Sequence, residues 1–151
     1  MSKAIVILFF LIVVGVAVYV LYLSPPVNAN FGTVTIGSKD FHVEIADTFA
    51  KRQQGLSGRS SIGSDGMLFR FDTAGIYPFW MKDMKFPLDL IWINGSTVVE
   101  VASSIQPPRQ GDDPARISPS SAANYVLEVP AGFVNQYLIE VGTRVKIDLQ
   151  K

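Results

Sequence analysis

DGMLFRFDTAGIYPFWMKDMKFPLDLIWING, residues 65–95, decides the fold. Met67, Phe69 and Phe71 alternate with Leu68 and Arg70, the two-residue period of a strand with a strongly apolar face. Phe79–Asp83 and Leu88–Ile93 read as two further strands, rich in the aromatic and β-branched residues that suit a pleated surface. Asn94-Gly95, between Ile93 and Ser96, is the signal of a tight type I′ hairpin, with Thr97–Val101 as the returning strand. Asn94-Gly95-Ser96 is also a glycosylation sequon in letters, but the turn explains the same residues without a glycosylating host.

Upstream, Thr33–Ile36 leads through Gly37-Ser38 into Phe41, Val43 and Ile45, which alternate with His42 and Glu44. Asp47 or Thr48 can cap a short helix running to about Leu56 and stopped by Gly58. Downstream, residues 103–122 lose all periodicity and hold Pro107, Pro108, Pro114 and Pro119, the composition of a long loop. Order returns at Tyr125–Val129. Pro130 suits the first turn of a helix whose apolar stripe is Phe133, Val134, Tyr137 and Leu138, before Gly142 ends it. Val145, Ile147 and Leu149 form a closing strand. Seven or eight short strands with two short helices predict a β-rich α+β fold: a compact curled sheet or small β-barrel-like domain, preceded by an N-terminal transmembrane helix.

That helix is read from Ala4–Leu23, an uncharged run of apolar and small residues. At about 1.5 Å per residue it spans about 30 Å, the thickness of a bilayer's hydrocarbon core. Lys3 before it favours a cytoplasmic N-terminus and an exported remainder. The organisation expected is residues 1–3 cytoplasmic, 4–23 a transmembrane signal anchor or a signal peptide, 24–30 a linker, and 31–151 the exported globular domain. Pro25-Pro26 followed by Val27-Asn28-Ala29 keeps open the alternative of cleavage near Ala29 and a secreted or periplasmic domain.

Lys3 apart, the chain carries 12 basic against 13 acidic residues, with no basic stripe, so nucleic acid is not an expected partner. There is no cysteine, which excludes disulfides, thiol redox chemistry and a cysteine nucleophile. His42 is the single histidine, so no multi-histidine zinc site can form. The chain has no G-x-S-x-G elbow, P-loop, dinucleotide fingerprint or EF-hand, and neither cofactor nor metal is expected. A serine–lysine dyad of Lys82 with Ser118, Ser120 or Ser121 is formally open, with no spacing that singles it out.

The residues left to carry chemistry lie on the central strands. Alternation puts Asp89 on the face of Ile91 and Ile93; if that face is buried, Asp89 needs a partner, either a cation such as Lys82 or Arg59, or backbone amides of the preceding turn. Trp80 and Lys82 share a strand face and could line a shallow cleft, the alternative being that Trp80 is simply core, the commoner fate of a strand tryptophan. Glu128 falls opposite Leu127 and Val129, and Arg144 opposite Val145, and both read as exposed positions.

Five segments in order give the chain a family resemblance: Gly55-Leu56-Ser57-Gly58-Arg59, Gly66–Phe71, Phe79-Trp80-Met81-Lys82-Asp83, Pro87-Leu88-Asp89 and Tyr125–Gly132. From about Val34 to Ile147 the sequence resembles the uncharacterised family called domain of unknown function 192. The resemblance implies a compact β-rich domain, frequently behind an N-terminal signal or anchor, and supplies no activity, substrate or cofactor. Members commonly have Asn-Thr where this chain has Asp83-Met84. Many also carry cysteines before the Tyr-Val-Leu-Glu block, and residues 106–121 have none, so no role of those cysteines carries over.

The expectation is a membrane-tethered extracytoplasmic binding or interaction domain, anchored by its N-terminal helix, with a small ligand or an envelope protein as partner. Its ligand-binding residues would be Arg59, Trp80, Lys82 and Asp89, with the 103–122 loop as cover. The alternative is a cell-surface hydrolase or transferase using Asp89 or Glu128 as carboxylate base with Lys82 as electrostatic stabiliser.

Overall fold

The computed structural model describes residues 30–149. The Ala4–Leu23 segment and the spacer to Ala29 lie outside the described residues, and among those described no helix is long and apolar enough to cross a membrane. The elements in chain order are β1 (Asn30–Ile36), β2 (Lys39–Ala46), α1 (Phe49–Gln54), β3 (Gly66–Gly75), β4 (Phe79–Trp80), β5 (Leu88–Asn94), β6 (Thr97–Ile105), β7 (Arg116–Ile117), β8 (Ala123–Pro130), α2 (Phe133–Gln136) and β9 (Val145–Leu149).

Seven strands form one sheet in the order β6-β5-β8-β3-β2-β1-β9, and β4 pairs with β7 as a separate two-stranded ribbon. Neighbours in the sheet are antiparallel except β2 and β3, which are parallel and joined through α1. The sheet curls as a half-barrel until its edges touch at one end. There Val98 N–H donates to Thr143 C=O, Gly142 N–H to Val98 C=O and Val145 N–H to Ser96 C=O, at 3.0, 2.8 and 2.9 Å.

Both faces of this sheet are covered. Inside the curl, Val34, Val43, Leu68, Ile91, Ile93 and Leu127 pack with Phe133, Val134 and Ile139 from α2 and the turn after it. On the outer face, Met67, Phe69, Leu88, Leu90, Trp92 and Val126 are buried under Leu56, Met81 and Met84, which come from the segments after α1 and β4. Sequential residues of β5 therefore alternate between two cores, which is why Leu88–Ile93 is buried throughout.

Several local expectations shift. Only Phe79-Trp80 of the predicted Phe79–Asp83 strand is extended; Asp83 takes a φ of +56°, which ends it. The hairpin turn is Gly95-Ser96 rather than Asn94-Gly95, since Asn94 pairs with Thr97. With φ of +59° at Gly95 and no positive φ at Ser96, it has the II′ rather than the I′ pattern. Strand β6 runs to Ile105 and β7 interrupts the supposed loop, so less of residues 103–122 is irregular than their prolines suggest. Pro130 ends β8 instead of opening a helix; α2 begins at Phe133, and Leu138, expected on its apolar stripe, is exposed with a φ of +51°.

Candidate functional site

The site is assembled by loops that fold over the outer face. Thr48 caps α1, its hydroxyl accepting from Lys51 N–H at 3.2 Å, and Gly55 closes the helix with a φ of +50°. The chain then turns through Leu56-Ser57-Gly58-Arg59 and docks on the segment after β4. Ser57 Oγ donates to Lys82 C=O and Gly58 N–H donates to Asp83 C=O, both at 2.9 Å. The left-handed backbone at Asp83 is a conformation that Asn and Asp tolerate better than most residues. On the other side, β7 pairs with β4, and Met81 N–H donates to Ala115 C=O at 3.0 Å, which brings Arg116 beside Trp80.

Between α1, β3 and β4 these contacts leave an open cleft of about 570 Å³. Its walls are Leu56, Phe69, Phe71, Tyr77, Phe79, Trp80 and Met84, with Phe49 at the mouth, 73% exposed. The aromatic wall is braced ring against ring. Phe69 and Phe79 meet edge-on at 4.8 Å, and Phe71 and Tyr77 stack at 3.6 Å. Two guanidiniums line the cleft. Arg52 lies 5.2 Å over Phe71 and donates from Nη1 to Asp47 C=O and Arg70 C=O, and Arg116 lies 4.9 Å over Trp80.

Glu128 lines the same cleft. It sits in the middle of β8, with Met67 of β3 opposite on one side and Leu90 of β5 on the other. It is buried, contrary to the exposed position expected, because the outer face of β8 is roofed rather than solvated. Its Oε2 has no hydrogen-bond partner among the described residues. Burial raises its pKa from 4.5 to about 8, and the charge of nearby Arg59 only partly opposes that rise. At neutral pH this side chain is a carboxylic acid, able to donate as well as accept a hydrogen bond.

The four residues singled out in the sequence do not share one cavity. Trp80, 42% exposed, lines the Glu128 cleft and forms the ridge to a neighbouring groove. Lys82 lies in that groove with Asp112, Asp113 and Arg116, its Nζ 5.4 Å from the Trp80 ring and 3.9 Å from Asp83. Arg59 makes a two-pronged bond to Glu44 at 2.7 and 3.0 Å, and those bonds are the main cause of its raised pKa. Asp89 is fully buried on the opposite face from Glu128. Its Oδ1 accepts from Ser104 N–H at 2.7 Å and its Oδ2 from Val134 N–H at 2.8 Å. Of the partners considered for Asp89, backbone amides are the ones observed, from a bulge of β6 and the start of α2 rather than from the preceding turn. Arg52 and Arg116 were missed because nothing in their spacing marks them. No group of three or more His, Asp or Glu among the described residues is placed to hold a metal ion.

Two solved structures share this architecture. One is a protein from Sinorhizobium meliloti described as a candidate transcription regulator, 28% identical, with a TM-score of 0.73; the match covers 82% of this chain and 98% of that one. The other is a protein of unknown function from Novosphingobium aromaticivorans, also 28% identical, with a TM-score of 0.66, covering 81% of this chain and 89% of that one. No curated protein matches the chain. The profile of domain of unknown function 192, described as Uncharacterized ACR, matches residues 32–147, more than half of the sequence and all five segments that carry the resemblance. The chain belongs to the DUF192 family.

Proposed function

We propose that the chain is a membrane-tethered, extracytoplasmic ligand-binding domain whose site is the aromatic cleft over Glu128. One observation carries the reading: Glu128, which lines an open cleft of about 570 Å³, holds a buried carboxyl oxygen without a partner among the described residues. An unsatisfied buried polar group costs a fold about 1–3 kcal/mol, and a ligand that supplies the missing hydrogen bond removes that cost on binding. The cleft's volume and its aromatic walls with few polar groups are those of small-molecule sites.

The test is a fragment panel read by chemical-shift changes on the full-length chain in lipid nanodiscs, with Glu128→Leu in parallel. Fragments should move signals of Phe69, Phe79 and Trp80 in the natural protein and lose affinity in the variant. A panel that leaves those signals unmoved sinks the reading. The tether is tested separately, by a reporter enzyme active only outside the cytoplasm and fused after Lys151; an inactive reporter refutes export.

The raised pKa of Glu128 favours a second reading, an enzyme at the same cleft. A carboxyl protonated at neutral pH is suited to general-acid catalysis, giving its proton to a leaving group, rather than to the base role first considered. Asp89 lines neither cavity and both its oxygens are committed to amides, so Glu128 would act without it. Lys82 does not line the Glu128 cleft, and Arg59 is the cation whose charge Glu128 feels. Turnover of any substrate that survives Glu128→Gln unchanged refutes this second reading.

A further inference from the structure

We infer that the cleft takes a small aromatic monocarboxylate, held by its anionic end at Arg52 and Arg116, with its ring along the Phe69–Phe79 wall and a hydroxyl or carbonyl turned toward Glu128. This rests on the cleft being a ligand site and adds the chemical class of the ligand.

Charge decides the sign. Arg52 and Arg116 have no ion-pair partner among the described residues, and Asp72, exposed, is the one other acidic side chain lining the cleft. Arg52 spends only Nη1 on Asp47 and Arg70, so its remaining N–H groups are available. With Glu128 protonated, the lining holds two cations against one carboxylate, an excess that one anionic group neutralises. A planar guanidinium favours a planar carboxylate, which it can grip with two parallel bonds. The apolar body follows from the walls, since flat rings pack on Phe69, Phe79 and Trp80 in offset or edge-on contact. The polar far end follows from Glu128 Oε2, which an aliphatic or bare ring terminus would leave unsatisfied.

The groups around Glu128 give this inference a pH signature. The charge that Glu128 feels is that of Arg59, from the loop after α1 and paired with Glu44 of β2; Arg52 of α1, Asp72 of β3 and Arg116 of β7 line the same cleft, and Met67 and Leu90 flank Glu128 on the neighbouring strands. When Glu128 loses its proton, a charge of the ligand's own sign appears in the cleft and weakens binding; a cationic ligand would gain.

Para-hydroxyphenylpropionate, tyramine and tyrosol have the same phenol ring and two-carbon stem and end in an anion, a cation and a neutral hydroxyl. Calorimetric titration of each into the full-length chain in zwitterionic lipid nanodiscs should give the propionate the tightest binding at neutral pH. Its affinity should fall about tenfold in Arg116→Gln, the loss expected for one charge-assisted bond. It should also fall as pH rises through about 8 in the natural protein but not in Glu128→Gln. Tyramine or tyrosol binding as tightly as the propionate overturns the ligand class and leaves the cleft a binding site. Absence of binding by all three overturns the class too, and the cleft reading falls with it only if the fragment panel also leaves Phe69, Phe79 and Trp80 unmoved.

Discussion

Replacing Glu128 by Gln should remove a pH-dependent penalty that the natural fold carries. The carboxyl has an ordinary pKa of 4.5 when unfolded and about 8 when folded, so the native state binds the proton more tightly. Between those values the folded chain holds more protons than the unfolded one, and stability falls as pH rises. Below the lower value both states are protonated and the penalty vanishes; above the upper value it is complete. The separation corresponds to about 5 kcal/mol in full, and about 4 kcal/mol of it develops between about pH 5 and pH 9.

The amide introduced by Glu128→Gln would keep the shape of the protonated acid and cannot ionise. Chemical denaturation of natural protein and variant across that pH range should therefore give stabilities within about 1 kcal/mol of each other at the acid end, diverging by about 4 kcal/mol in favour of the variant at the alkaline end. Taking the difference between the two proteins cancels the titration of groups they share. Because Arg59 holds the Glu128 pKa down, Arg59→Met should move the natural protein's inflection to higher pH. Parallel curves for natural protein and Glu128→Gln, or a divergence of the opposite sign, would refute the assignment of Glu128 as a buried neutral acid.

Asp89→Ala strands the amides of Ser104 and Val134 and should cost about 3–5 kcal/mol, visible as a large fall in the denaturation midpoint, because two bonds to the carboxyl are lost and the buried Val134 donor is left unsatisfied. Hydrogen exchange at those two amides should accelerate by at least as much as at any core amide; unchanged protection there would show that Asp89 is not their anchor. Gly66→Ala puts a methyl group 2.7 Å from Glu128 C=O and 3.0 Å from Val129 Cγ1, and the β3–β8 ladder must spread to accept it. The expected loss is about 1–3 kcal/mol, and a variant as stable as the natural protein would mean that the ladder has slack the structure does not show.

Most of the strands were legible in the sequence, because a two-residue period survives wherever one face meets a core. Asp89 was also placed on the right face by that period, and backbone amides as its partners followed as one of two options. Lost instead was the second core. LDLIWI and GMLF are apolar on both sides, the mark of strands covered on both faces, and β8 runs between those two strands. Glu128 therefore had to be buried once the strand order was known, yet strand order comes from pairings between residues as distant as Met67 and Glu128, which no local pattern encodes. The cleft itself escaped for a related reason. It depends on Ser57 and Gly58 docking on Lys82 and Asp83, and on β7 meeting β4, all contacts between segments too short or irregular to carry a period.

Asp89 and Glu128 together show what a sequence cannot rank. Each is an acidic residue in a strand of apolar neighbours, each is buried, and the two strands are hydrogen-bonded side by side. Folding gives Asp89 two amide donors, one from a bulge where Ser104 adopts a left-handed φ and one from the start of α2. It gives Glu128 Oε2 none among the described residues, and the side chain lines a cleft instead. The first carboxyl stabilises the fold by satisfying backbone that would otherwise be stranded. The second costs stability at neutral pH, and Leu or Met in its place would pack against Met67 and Leu90 with no such penalty. On the proposed reading the ligand rather than the fold calls for Glu128, so Glu128→Leu should gain stability at neutral pH while losing fragment binding, and a variant that gains nothing would remove this argument.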